Sequence, residues 1–456
     1  MDAGAEDPRH LLHTTGAVAI VVGIVVGAGI FKTPAMVAGM TQDHGWLIAA
    51  WLAGALVSLA GALCYAELCA AHPHAGGEYH FLSRAWGKHV AFLYAWSKAM
   101  VINTGSIALL AYVFGDYMTR VVDLGTHSSA LWAVAIIIVL TATNILGLTV
   151  AARLQTAMVL LLVGGLAAVV VAGFTAPAAG LTSHPAPTWF ASTPSAGMLG
   201  LAMVFVLLTF GGWNEAAYLS AEVLGGPRAV ARVLIISLSL ITALYLLANL
   251  ALLHGLGLAG LATSKAAGAE VLGLHFGAWG ERLLGVLVAL AALTSIHSTM
   301  IVGARSNYAL GRDWAPLRRL GRWQAGRGAP VNGHVLQTAI SLALVVFGAF
   351  QADGFEAMVE FTAPVFWTFL FMVGLAVFRL RRRHPGIARP FRIPLYPLTP
   401  MVFCAACAWL AWSSVSYAAS KAAVHVSLLV MLAGLVVLGG LLLHDRVVRQ
   451  RAPGSP

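Results

Sequence analysis

Charge is the first thing this chain lacks. Of its 456 residues only 10% are Asp, Glu, Lys or Arg, against roughly 25% in a soluble domain. Acidic groups are the scarcest, 17 against 27 Lys and Arg. A chain this poor in charge does not clothe a water-facing surface, so a soluble globular enzyme or binding domain is excluded. Cysteine is scarce as well. All four, Cys64, Cys69, Cys404 and Cys407, sit inside apolar segments. Cys404-x-x-Cys407 has redox or metal spacing but no second ligand pair, so the thiols read as packing groups. The sixteen histidines show no metal-ligand spacing, and neither a metal nor any other cofactor is expected. No cleavable leader is expected, because residues 1–15 are polar and the first apolar run is long and followed by others.

What is there is apolar length. The chain is 59% hydrophobic, and runs of about 20 apolar residues recur from end to end, as in a polytopic helical protein of the lipid bilayer. The net charge of +10 invites a nucleic-acid reading, which its placement dismisses. If spans alternate, Arg9, Arg84, Lys88, Arg153, Arg228, Arg232, the 305–327 and 379–392 groups, Arg446, Arg449 and Arg451 share one side. Only Arg120, Lys265, Arg282 and Lys421 fall on the other. That asymmetry places both termini in the cytoplasm and the spans in the cell membrane, with no nucleic-acid partner.

Twelve spans are predicted, near 15–37, 45–70, 90–118, 130–146, 153–174, 196–221, 231–254, 281–308, 333–350, 355–378, 396–417 and 422–444. They group as a tail (1–14), a first five-helix unit (15–175), a second (196–378), two additional helices (396–444) and a tail (445–456). Short helices are expected after the 72–79 loop and near 266–275.

Two spans are interrupted. Gly27-Ala28-Gly29-Ile30-Phe31 lies eleven residues into the first. At about 1.5 Å per residue that is roughly 16 Å into a roughly 30 Å hydrocarbon core. Backbone opened at that depth lacks water to bond, so it is tolerated where it lines a cavity or meets a ligand. Close helix packing through small residues is the alternative for this stretch alone. The second interruption, Thr209-Phe210-Gly211-Gly212-Trp213-Asn214-Glu215, opens the second set of five. Five is odd, so the sets enter the membrane from opposite sides. An inverted 5+5 repeat with broken helices 1 and 6 points to a transport site at the midplane.

At this point the chain resembles the amino acid–polyamine–organocation superfamily, and within it the L-type-like amino-acid permeases. The likeness rests on Gly27-Ala28-Gly29-Ile30-Phe31, Cys64-Tyr65-Ala66-Glu67-Leu68, Pro73-x-x-Gly76-Gly77-x-Tyr79 and Phe210-Gly211-Gly212-Trp213-Asn214. Gly303-Ala304-Arg305 through Arg312-Asp313 and Arg389-Pro390-Phe391-Arg392-Ile393-Pro394-Leu395-Tyr396-Pro397 complete it. The resemblance implies an all-α, leucine-transporter-type fold that moves amino acids by alternating access. It implies a substrate carboxylate on the N–H groups of Gly27, Ala28, Gly29 and Ile30, and an ammonium near the carbonyls of Val25, Leu208 and Gly211. Helix N-termini favour anions and C-terminal carbonyls favour cations, so a zwitterion suits both. Side-chain specificity would come from Leu208, Thr209, Phe210, Trp213 and Asn214, with Asn103 and Ser106 from the third span. No acidic group other than Glu215 is placed to alter a preference for small or apolar neutral substrates.

The coupling machinery departs from the family. Many relatives resemble one another in a fifth-span lysine where sodium sits in sodium-coupled transporters; counted from Arg153-x-Gln155, that position is Leu162. Ionisable residues inside membranes are functional by default. Lys98 lies at a similar depth in span 3 and is a candidate for the missing cation, with snorkelling as the alternative. Glu215 is a candidate proton carrier or ion-pair partner. A proton is favoured as coupling ion over sodium. Lys32 is expected to face an outer vestibule, Glu67 to pack and hydrogen-bond at the cytoplasmic end, and Arg305, Arg312 and Asp313 to serve topology and gating.

An exchanger or uniporter without ion coupling, or a transporter-like amino-acid sensor, remain as alternatives. An intramembrane enzyme does not fit: its one hint, His297 near Ser295 and Ser298, places neighbours that do not face one another on a helix. L-type relatives in animals bond a glycoprotein through a cysteine between spans 3 and 4. Residues 119–129 hold none, so no disulfide-linked partner is expected.

Overall fold

A computed structural model describes residues 12–119, 121–176, 189–226, 228–264, 266–324, 326–349, 354–420 and 424–451. Arg120, Lys265, Lys421, residues 177–188 of the predicted external loop, most of the N-terminal tail and residues 452–456 lie outside the described residues. Within them the chain is helical. The only strand-like pairings there are the isolated bridges Leu12–Val223 and Gln324–Ala329.

The first span is two helices, α1 (Thr14–Val25) and α2 (Gly29–Thr41), bent by 47°. The helix fails at the glycine-flanked alanine. The Gly27 N–H turns back to the Val25 carbonyl at 2.8 Å, a bond too tight for an α-helical ladder. After Gln42 in the left-handed region, Asp43 caps α3 (His44–Ala71), accepting from the Trp46 N–H at 3.1 Å. The short α4 (Gly77–Trp86) follows the predicted loop. The third span is composite: α5 (Lys88–Ser97), a π-helical turn (Lys98–Ile102) and α6 (Asn103–Thr119). Then come α7 (Ser128–Ile145) and α8 (Leu148–Phe174).

The second set opens with α9 (Ala196–Thr209), capped by Ser195, and a 3-10 helix (Trp213–Leu219). Here the interruption is a change of winding within one span, Gly197–Leu219. It turns on Gly212 at φ +108°, a conformation that costs glycine little and other residues much. The chain continues as α10 (Ala229–Thr263), α11 (Ala267–Phe276), α12 (Trp279–Asp313), α13 (Val331–Gly348), α14 (Gly354–Arg383), α15 (Leu398–Ser420) and α16 (Val424–Arg451). Ten of the described helices and helix runs are long and apolar enough to cross a bilayer, eleven with the bent α1–α2 pair. The apolar stretch of α16, Leu428–His444, is shorter. The protein is therefore a multi-pass membrane protein.

α1 and α2 occupy the middle of the bundle. α1 packs on α8, α10 and α12, and α2 packs on α9 and α10. One close approach fixes α1 there. Gly23 leaves room for Gln155 of α8, whose Nε2 would lie 1.8 Å from any Cβ added there. At the end carrying the arginine-rich loops, Glu67 of α3 takes Arg381 of α14 in a two-pronged pair at 2.7 and 2.5 Å and also accepts from the Ile393 N–H at 2.7 Å. Glu67 thus pins the Arg-Pro-Phe-Arg-Ile-Pro segment to α3 and α14, in line with a packing and hydrogen-bonding role. The four cysteines are buried free thiols.

Candidate functional site

The two interruptions face each other. A Cβ on Gly212 would come within 2.5 Å of Ile24 Cγ2, and one on Gly29 within 3.2 Å of Thr209 Oγ1. Thr33 and Thr209 share a hydroxyl hydrogen bond of 2.8 Å, tying α2 to α9. One residue joins both helix ends. Tyr245 of α10 donates to the Val25 carbonyl at 2.9 Å and to the Thr209 carbonyl at 3.2 Å. Its ring packs against Trp51 and Phe210, with centroids 5.6 and 5.1 Å away. Sequence reasoning missed Tyr245. A lone tyrosine in a long apolar run carries no pattern that marks it.

Donors and acceptors lie side by side at this junction. The N–H groups of Ala28, Gly29 and Ile30 have no protein acceptor among the described residues. They form the first turn of α2, where the helix dipole is positive. Gly27, expected as a fourth donor, is already engaged by Val25. Opposite them are the carbonyl ends of α1 and α9. The Val25 oxygen accepts from Gly27 and Tyr245, and the Leu208 oxygen accepts from the Gly211 N–H at 3.1 Å. Such a junction can hold an anion and a cation a few ångströms apart.

The remaining predicted site residues divide. Phe210 is buried in the aromatic group with Trp51, and Thr209 sits at the junction. The Leu208 side chain is 39% exposed. Trp213 stacks edge-on against Tyr65, and Asn214 donates to Glu78 at 3.0 Å, so both point toward α3 and α4. Asn103 faces Gly303 of α12 and Gln337 of α13, and Ser106 bonds its own helix at Ile102. Lys32 is exposed.

Lys98 and Glu215, predicted separately, are brought together. The Lys98 ammonium lies 2.7 Å from both Glu215 oxygens and 3.3 Å from Glu78. Leu162 is buried in α8 among apolar neighbours. Seven residues before it, Gln155 hydrogen-bonds Nδ1 of His297 at 2.9 Å, while Ser295 donates to the Gly23 carbonyl at 2.9 Å. A neutral polar group thus braces the end of α1 on its α8–α12 side. Arg305 is buried in a pair with Glu222, and Asp313 accepts from Tyr79 at 2.7 Å.

The comparisons agree with this architecture. Residues 12–438 match the family model described as amino acid permease. The chain belongs to the amino acid permease family. It is 26% identical over 388 residues to the b(0,+)-type amino acid transporter 1 of Mus musculus, covering 83% of this chain and 77% of that protein. It is 25% identical over 386 residues to the serine/threonine exchanger SteT of Bacillus subtilis (strain 168), covering 84% and 85%. Likewise it is 25% identical over 397 residues to the Asc-type amino acid transporter 1 of Mus musculus, covering 83% and 72%. The resemblance to amino-acid transporters of this superfamily is borne out. The family and these relatives are transporters, not enzymes.

Proposed function

We propose that this permease carries small or apolar neutral amino acids across the cell membrane by alternating access, with both termini cytoplasmic and twelve spans in an inverted 5+5 plus two arrangement. The observation that carries the reading is the junction itself. Three N–H donors without protein acceptors stand beside the Tyr245-bridged carbonyls at the meeting of two helix interruptions. The substrate carboxylate takes the N–H groups of Ala28, Gly29 and Ile30. Its ammonium takes the Gly211 carbonyl and competes with Tyr245 for that of Val25. Thr209 and Phe210 border the substrate side chain and offer it no charge, which supports the neutral class.

The relatives' names support the substrate class: two are amino acid transporters and one is a serine/threonine exchanger. The exchanger also supports exchange as a transport mode. The test is uptake of a panel of labelled amino acids into proteoliposomes, with a proton gradient, sodium or internal amino acid supplied one at a time. Saturable uptake of neutral amino acids is expected. Binding without flux makes the protein a sensor, and failure of every amino acid to bind or move overturns the reading.

A further inference from the structure

Below the junction, toward the arginine-rich end, lies a charged group that zwitterion binding does not use. Glu78 comes from α4, Tyr94 from α5, Lys98 from the π-helical turn, Tyr65 from α3, and Asn214, Glu215 and Tyr218 from the 3-10 helix. The Lys98 side chain is 2% exposed, as is that of Glu78, and Glu215 is 10% exposed. Lys98 is ten residues above the start of α5, about 15 Å at about 1.5 Å per residue. It turns inward rather than reaching for the membrane surface.

The charges do not balance. One ammonium faces two carboxylates, so with both ionised the buried group carries one net negative charge. An unbalanced buried charge is costly, and one bound proton removes it. The hydrogen bonds say where that proton goes. Glu78 receives five donors: Tyr65 at 2.5 Å, Asn214 at 3.0 Å, Lys98 and Tyr218 at 3.3 Å each, and Tyr94. That is the environment of an ionised carboxylate, which only accepts. Glu215 has Lys98 alone, shared between its two oxygens at 2.7 Å. It is also the most exposed of the three charged groups.

The backbone gives an independent pointer. Lys98 opens the π-helical turn and Glu215 sits within the 3-10 helix. Mid-span 3-10 turns often mark hinges, and π-helical turns are frequent at functional sites. Among the described residues, the one direct ion pair between the third span and the segment behind the second interruption thus joins two non-α segments.

We propose that Lys98, Glu215 and Glu78 form a binding site for one proton, taken up on Glu215, and that its occupancy decides whether the third span is ion-paired to the 3-10 helix during transport. The proposal rests on the amino-acid reading above and supplies its driving ion. A hydronium ion gives its proton to one Glu215 oxygen, forming an O–H bond and leaving water. The Glu215–Lys98 ion pair becomes a hydrogen bond from an ammonium to an uncharged acid, Lys98 stays with Glu78 and Tyr94, and the 3-10 helix loses its ion pair to the third span while keeping the hydrogen bonds of Asn214 and Tyr218 to Glu78 and Tyr94. The groups facing Glu215 are Lys98 and Tyr94 of the third span, Glu78 of α4 and Tyr218 of its own helix, and Tyr65 of α3 faces Glu78. On the other packed elements, Arg305 of α12 is held by Glu222, and Tyr245 of α10 bonds the Val25 and Thr209 carbonyls.

The test uses the full chain in proteoliposomes with a pH dye inside and labelled L-serine or L-alanine outside. Amino-acid entry is expected to acidify the lumen. In Glu215→Gln the acidification disappears, and whatever flux remains is independent of pH. In Lys98→Met the pH profile moves toward alkaline pH by about one to three units, the effect of removing an opposite charge from a carboxylate. Acidification that persists in Glu215→Gln overturns the proposal. So does labelled amino acid moving in the wild type with no proton movement and a flat pH profile, which leaves the amino-acid reading intact. If no amino acid moves, that reading fails, and the proton site is read on the wild-type protein by infrared difference spectroscopy. A carboxylic-acid carbonyl band that grows on acidification supports it, and its absence overturns it. The same measurement decides the matter if Glu215→Gln does not fold.

Discussion

The Tyr245 hydroxyl stands 2.9 Å from the carbonyl oxygen of Val25. That oxygen is one of the acceptors assigned to a substrate ammonium, so the tyrosine both braces the two helix ends and competes with the substrate for them. A neutral hydrogen bond contributes about 0.5–1.5 kcal/mol. Tyr245→Phe should therefore lower the melting temperature of the substrate-free protein while tightening apparent substrate affinity by roughly two- to tenfold. Thermal melting with and without amino acid checks both signs at once. A substrate-induced stabilisation smaller than in the wild type would show that Tyr245 does not compete.

Gly212 carries two constraints. Its φ of +108° is strained for any side chain, and a Cβ there meets Ile24 Cγ2 at 2.5 Å. Gly212→Ala should cost about 1–3 kcal/mol in backbone strain alone, with more from the overlap, and abolish transport. Adding Ile24→Ala relieves the overlap and not the strain, so the double variant should regain part of the lost thermal stability. Full recovery would assign the whole cost to packing.

Asp43 offers a pH signature outside the membrane spans. Burial pushes its carboxyl up, but the N–H groups of Trp46, Phe190, Ala191 and Gly45 outweigh that and hold it below its ordinary value. A depressed folded-state pKa means stabilisation that is fully present above the unfolded value of about 3.9 and lost as pH falls through the folded one. Hydrogen exchange at Phe190 and Ala191, corrected for its intrinsic pH dependence, should be slow at neutral pH and accelerate below about pH 4. Asp43→Asn should speed it at pH 7 and erase that dependence. An unchanged exchange rate in the variant would mean that the contact does not hold the 189–191 segment.

Much of this was legible from residue order. Apolar run length found the ten or eleven membrane-crossing helices of the described residues, and Gly27-Ala28-Gly29 found the bend between α1 and α2, because removing Cβ atoms at mid-span weakens a helix wherever it sits. The residues that close the site were not legible in the same way. Tyr245 works through a hydroxyl reaching two carbonyls from another helix, and Gln155 works by filling the space above Gly23. Neither leaves a period or a motif. Lys98 and Glu215 stood out singly as charges in apolar spans, but their pairing across 117 positions is a property of packing. Glu78 read only as part of a loop motif, and its turn inward toward five donors could not be anticipated from its neighbours.

Leu12 gives the bundle a mechanical tether. Its N–H bonds the Glu222 carbonyl at 3.0 Å, and its own carbonyl receives the Leu224 N–H at 2.8 Å. Two residues before α1 begins, the chain is therefore stitched to the strip that leaves the 3-10 helix. α1 cannot tilt at this end without dragging that strip along or tearing both bonds. The start of the first interrupted span and the end of the second are thereby joined through main-chain bonds that no side-chain truncation can remove.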